Sequence, residues 1–124
     1  MKVWSEIEDV PLGSGIIDTI VCANVLEHVG SAERLASEIP RLVAPAGRIL
    51  LTFPFEQDLG VYELAAYKAK YQKYKYVHLR SITDNLIDQL FPDCEVISSE
   101  LMTDGMELME FKPYPVKAIE LVRR

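Results

Sequence analysis

The stretch from Gly15 to Ala23, Gly-Ile-Ile-Asp-Thr-Ile-Val-Cys-Ala, constrains this chain more than any other. Apolar side chains fall on both of its alternating faces, interrupted only by Asp18 and Thr19. A strand of that kind wants cover on both sides, as in the centre of a parallel sheet. It leads to Ser31 and then a helical pattern over residues 33–43, with apolar positions 35, 36, 39, 42 and 43 on one face. Ser31 suits the N-cap, and Pro40 should bend or shorten the helix because it removes an amide donor. Ala44-Pro-Ala-Gly47 reads as the helix stop. Arg48 to Phe53 reads as a second apolar strand, ended by Pro54. Strand, helix and strand within about forty residues form a βαβ unit, whose crossover is expected to be right-handed.

The chain has 124 residues, enough for one packed domain and too few for two. It carries 13 basic and 19 acidic groups, for a net charge of −6. Nucleic-acid binding through a basic surface is therefore a poor expectation. The charge is uneven: residues 61–80 hold 5 basic groups and 1 acid inside an otherwise acidic chain. Cys22 and Cys94 show no metal-ligand spacing, which excludes a zinc-finger pattern and fits reduced, buried thiols. The start, Met-Lys-Val-Trp-Ser-Glu-Ile-Glu-Asp-Val, lacks a signal-peptide pattern, and no apolar run approaches a membrane span. A cytoplasmic protein without a membrane partner is expected.

Downstream, a helix is predicted from Gly60 to Tyr76, with Tyr67, Tyr71 and Tyr74 on one stripe among lysines. These tyrosines either cap a substrate or pack on the sheet. A third helix, capped by Ser81 or Thr83, buries Ile82, Leu86, Ile87, Leu90 and Phe91. Residues 94–99 and 116–122 are strand-like and suited to antiparallel pairing at a sheet edge, joined by a Gly- and Pro-containing stretch.

The segment from Ile17 to Phe53 contains Leu26-Glu27-His28-Val29 directly after a strand and Leu42-Val-Ala-Pro45-Ala-Gly47 before the next. It resembles the later half of class I S-adenosylmethionine-dependent methyltransferases, in the branch whose fourth strand is followed by V-L-E-H-V. Ser5 to Leu12 resembles that family's loop after strand three, and His78-Leu-Arg80-Ser-Ile-Thr83 its late H-L-R-x-F-T region. The resemblance covers essentially the whole chain. It implies an α/β fold, a partial Rossmann-like sheet of family order 4-5-7-6 with helices on both faces and the last strand antiparallel. As one domain, 1–124 divides into a loop after strand three (1–15), the βαβ unit (16–53), a Tyr/Lys helical insertion (54–80) and a helix with terminal hairpin (81–124).

The family's cofactor is S-adenosylmethionine. By the resemblance, Glu6 and the Ile7 amide stand where the adenine is contacted, and Ala23 and Asn24 where the methionine part lies; solvated loop and turn-cap roles compete for Glu6 and Asn24. His28 is the candidate catalytic base, beside Glu27, with a structural or capping role as its competitor. Tyr62, His78 and Arg80 are candidate substrate contacts. The family's Gly-rich turn after strand one has no counterpart among Gly13, Gly15, Gly30, Gly47, Gly60 and Gly105. The resemblance therefore implies a methyltransferase-type chain acting on an unread acceptor and inactive in isolation, with a noncatalytic dimerisation or partner-binding module as the alternative. A homodimer or a complementing N-terminal half is the expected partner.

Overall fold

A computed structural model describes residues 9–71, 78–102, 107–108 and 112–124. In chain order the elements are β1 (Ile17–Ala23), α1 (Ala32–Leu42), β2 (Val43–Pro54), a 3-10 turn (Leu59–Glu63), α2 (Ala65–Tyr71), α3 (Asp84–Leu90), β3 (Cys94–Met102), β4 (Glu107–Leu108), β5 (Lys112–Pro113) and β6 (Val116–Arg123). The main sheet has the order β1-β2-β6-β3. β1 and β2 are parallel, while β6 runs antiparallel to both β2 and β3. This is the expected 4-5-7-6 arrangement with an antiparallel last strand. A two-stranded β4-β5 hairpin lies apart from it.

Ser31 caps α1 as its spacing suggested, accepting the Arg34 amide at 3.2 Å. Thr83, not Ser81, caps α3, accepting the Leu86 amide at 3.1 Å. Pro40 lies in the last turn of α1, where it removes the amide that would donate to the Ala36 carbonyl and only two helical residues follow, and Val43 enters β2 without an intervening loop. β2 thus starts earlier than Arg48. Val43 pairs with Ile17, and pairing resumes at Thr19 with Arg48, so residues 44–47 bulge opposite Asp18. Ala46 takes a positive φ of 62° inside that bulge. Gly47 is buried there, and a Cβ added to it would stand 2.7 Å from the Ala44 carbonyl oxygen and 2.9 Å from that of Asp18. Backbone cannot yield as a side-chain tip does. Gly47→Ala should cost about 1–3 kcal/mol in denaturant unfolding, whereas Gly30→Ala, with nothing within 4 Å, should stay within about 0.5 kcal/mol.

One face of the sheet carries Cys22, Ile49, Leu51, Phe53, Ile119 and Leu121, packed with Leu35 and Ile39 of α1 and Ile87 of α3 in one core. Of the helices expected on both faces, α1 and α3 occupy this one. On the opposite face Val21 and its register partner Leu50 are 65% and 36% exposed. β1 has no strand neighbour on its outer side among the described residues.

The predicted helix over 60–76 is instead divided. The Asp58 carboxylate accepts the Gly60 amide at 2.9 Å, a local turn that tightens the chain into the 3-10 segment before α2 begins. Tyr67 is buried edge-on against Tyr62, with ring centroids 5.2 Å apart, which favours packing over an exposed lid at that position. Tyr74 and the rest of 72–77 lie outside the described residues. Cys22 and Cys94 are free and buried, as expected. No helix among the described residues is long and apolar enough to cross a membrane.

Candidate active site at the carboxyl ends of β1 and β2

In open α/β sheets, ligands collect beyond the carboxyl ends of the parallel strands, where loops diverge. Here three loops converge at that end. The first follows β1 and turns at Asn24, whose φ is 54°, a left-handed conformation that asparagine tolerates well. The Asn24 amide donates to the Thr52 carbonyl at 2.9 Å, and the Thr52 hydroxyl donates to Asn24 Oδ1 at 3.4 Å. The side chain is therefore tied back to β2 and still exposed, beside exposed Ala23.

Glu27 lies one turn further on, only 1% exposed. Neither of its carboxylate oxygens receives a hydrogen bond among the described residues. Burial pushes its pKa up, against the pull of its own amide, His28 and Arg80. His28 Nε2 stands 3.8 Å from Glu27 Oε1, and its side chain is 48% exposed.

The second loop precedes α3. The Leu79 amide donates to the Glu27 carbonyl at 2.8 Å, and Arg80 Nη1 donates to the Leu26 carbonyl at 2.6 Å. These bonds hold the two loops together and place His78 edge-on to His28, with centroids 4.7 Å apart. Burial, followed by the neighbouring His28, lowers the His78 pKa to about 4, so the ring is neutral at pH 7.

The third loop leaves β2 and brings in Gln57, which is buried and shares a 2.5 Å hydrogen bond between Oε1 and His78 Nδ1. An amide oxygen only accepts, so Nδ1 carries the proton and Nε2 keeps its lone pair. Tyr62 and Tyr114 stand edge-on to His78 at 5.8 and 5.9 Å. Burial raises Tyr62 to about 12, outweighing the opposing effects of the His78 backbone and the Gln57 side chain. Burial also raises Tyr114, with the Glu27 charge second.

The structure thus brings together His28, His78, Tyr62 and Glu27, with Ala23 and Asn24 alongside. Arg80 turns its guanidinium to the backbone carbonyls of Leu26 and Gly30 and positions the loop. Glu6 and Ile7 lie outside the described residues. Gln57 and Tyr114 escaped the sequence reading; the clue to Tyr114 was its place between Pro113 and Pro115, an aromatic with a hydroxyl held on stiff backbone.

Comparison with known proteins bears on this site. A family model described as a methyltransferase domain matches residues 3–51. The fold is similar to that of an S-adenosylmethionine-dependent methyltransferase from Methanosarcina mazei, at a TM-score of 0.68 and 14% identity, over 96% of this chain and 65% of that one. The chain thus shares its fold with these methyltransferase structures, and its residues 3–51 match the methyltransferase-domain family. A methyltransferase from Thermotoga maritima is similar over 97% of this chain and 62% of its own, at a TM-score of 0.67 and 18% identity. The [4+2]-cyclase SpnF is similar too, at 0.66 and 10%, over 96% of this chain and 54% of its own. A comparison with curated proteins finds no match. The chain therefore spans a little over half to two-thirds of the length of those solved chains. The cyclase shows that the fold alone does not fix the reaction.

Proposed function

We propose that this chain forms the acceptor side of an S-adenosylmethionine-dependent methyl-transfer site, and that it is inactive in isolation. The observation that carries the reading is the convergence of Glu27, His28 and His78 on the carboxyl end of β1, next to exposed Ala23 and Asn24. Ala23 offers no bulk and Asn24 a polar, exposed side chain on a tight turn, so the pair fits one wall for the methionine part of the cofactor. Glu6 and Ile7 would contact the adenine. When bound, the cofactor supplies a methyl group on a positively charged sulfur, ready for direct displacement.

The chain's own residues then have definite work. His28, exposed toward solvent, takes the proton of an acceptor hydroxyl or acidic carbon; buried Glu27 stabilises the imidazolium that forms. His78, kept neutral by burial and fixed by Gln57, walls the acceptor with Tyr62 and Tyr114. Arg80 holds the loop in which Glu27 and His28 sit. Positioning matters most, because a near-attack geometry is the largest help a displacement of this kind can receive.

The remaining grip on the cofactor comes from a complementing βαβ half that extends the sheet beyond β1. Two features support this: the outer side of β1, which pairs with no strand among the described residues, and the exposed Val21 and Leu50 on the face opposite α1 and α3, in a sheet whose parallel strands call for cover on both sides. The same open face supports a second reading, a noncatalytic module that docks a partner or a second copy. Calorimetric titration with S-adenosylmethionine separates the readings. The chain alone should bind more weakly than micromolar, about −8 kcal/mol, and addition of a Gly-rich βαβ half should bring micromolar affinity and methyl transfer. Tight binding by the chain alone contradicts the division of labour; a complemented sheet that binds cofactor without transferring methyl groups supports the noncatalytic module.

A further inference from the structure

We infer that Glu27, His28 and His78 form a binding site for a divalent transition-metal ion. One potential ligand atom from each residue lies within 4.8 Å of those of the other two. Proximity of such groups is common, and here two further features turn it into a site. Glu27 is almost wholly buried, and neither of its oxygens receives a hydrogen bond among the described residues. A buried carboxylate without donors is costly, and a bound cation is one of the few things that satisfies both its charge and its lone pairs. His78, for its part, has Nδ1 committed to Gln57 Oε1. That is the outer bond a metal-ligating imidazole characteristically makes: it fixes the tautomer, orients the ring and leaves Nε2 to ligate.

The donor set selects the ion. Two imidazole nitrogens and one carboxylate suit zinc, cobalt or iron(II), whereas calcium and magnesium favour oxygen donors throughout. An ion about 2.0–2.2 Å from each donor requires donor atoms about 3.0–3.6 Å apart. The cluster must contract by roughly an ångström, and the half-exposed His28 side chain has the freedom to supply that movement. Arg80 is the nearby cation, and its guanidinium is engaged by the Leu26 and Gly30 carbonyls. Three protein ligands leave at least one coordination position open for water or an oxygen-bearing ligand. In the loaded state the ring nitrogen of His28 is occupied, so its work as a proton acceptor belongs to the metal-free protein. The site stands on this cluster alone and does not depend on methyl transfer.

Cobalt(II) is the direct probe. The full chain, stripped with a chelator and dialysed, should bind one equivalent of Co2+ with micromolar or tighter affinity, develop visible d–d absorption, and lose it on addition of Zn2+. Glu27→Gln and His78→Gln should each weaken binding by more than about tenfold, and Gln57→Ala, which spares the ligands, by about 10- to 100-fold. Circular dichroism checks that each variant is folded. No cobalt binding by the wild-type chain at about 1 mM overturns the inference, and this outcome needs no variant to fold. Binding unchanged in folded Glu27→Gln or His78→Gln overturns it as well, as does an intense sulfur-to-cobalt charge-transfer band, which would place the ion on Cys22 or Cys94.

Discussion

Replacing Glu27 with glutamine should make the metal-free protein more stable at pH 7, by about 1–3 kcal/mol in denaturant unfolding. Most substitutions at buried positions destabilise, so the sign of this effect is diagnostic. It follows from a carboxylate that is 1% exposed with neither oxygen hydrogen-bonded, whose charge His28 at 3.8 Å and Arg80 only partly offset. Because burial raises the folded pKa of Glu27 above its unfolded value, the native state binds this proton more tightly than the unfolded chain does. The penalty is therefore present above the folded pKa and fades as pH falls through it. The advantage of Glu27→Gln should be greatest at pH 7–8 and shrink on acidification. A chelator must be present, since a bound cation would stabilise only the wild type. A residue that costs stability and is nevertheless held in place, its carbonyl tied to the Leu79 amide, is the pattern expected of a functional group.

Phe53→Ala should have the opposite sign and the largest size. The Phe53 ring is fully buried in β2, in the core beneath α1 and α3. Removing it leaves a cavity and should cost about 3–5 kcal/mol. For a domain of this length that corresponds to a fall in melting temperature of roughly 10–20 °C, a large part of a typical total stability of about 5–15 kcal/mol. Leu101→Ala is the matched control. Leu101 is an exposed apolar residue on β3, and its truncation should shift unfolding by no more than about 0.5 kcal/mol.

The sheet was legible because its determinants are local. The two-sided apolar run in β1, Ser31 as a cap and the Pro and Gly punctuation around α1 and β2 all act within a few residues. The resemblance carried by Leu26-Glu27-His28-Val29 supplied the strand order that periodicity alone leaves open. What the sequence concealed depends on contacts across the chain. Residues 44–47 look like a helix stop, and they are, yet pairing of Val43 with Ile17 makes them a bulge within β2 as well. The 3-10 segment Leu59–Glu63 that precedes α2 opens on the Asp58–Gly60 contact, too weak a signal against a run of good helix formers. At the site, His28 and His78 stood out as separate residues. Their meeting requires the Leu79 and Arg80 bonds to the β1 loop, and the tautomer of His78 requires Gln57, a residue with nothing in its sequence surroundings to single it out.

In the proposed function, the carboxyl end of β1 is where the cofactor's methionine part and the acceptor meet. Nitrogen-15 correlation spectra of the labelled chain, recorded while S-adenosylmethionine is added into the millimolar range, test it directly because weak binding still moves resonances. Shifts should concentrate at the amides of Ala23, Asn24 and Val25 and at the loop bearing Glu27 and His28, with α3 and β3 undisturbed. Shifts centred instead on the groove lined by Asp84, Asp88, Val96, Ser99 and Lys117, with the end of β1 unmoved, would contradict it.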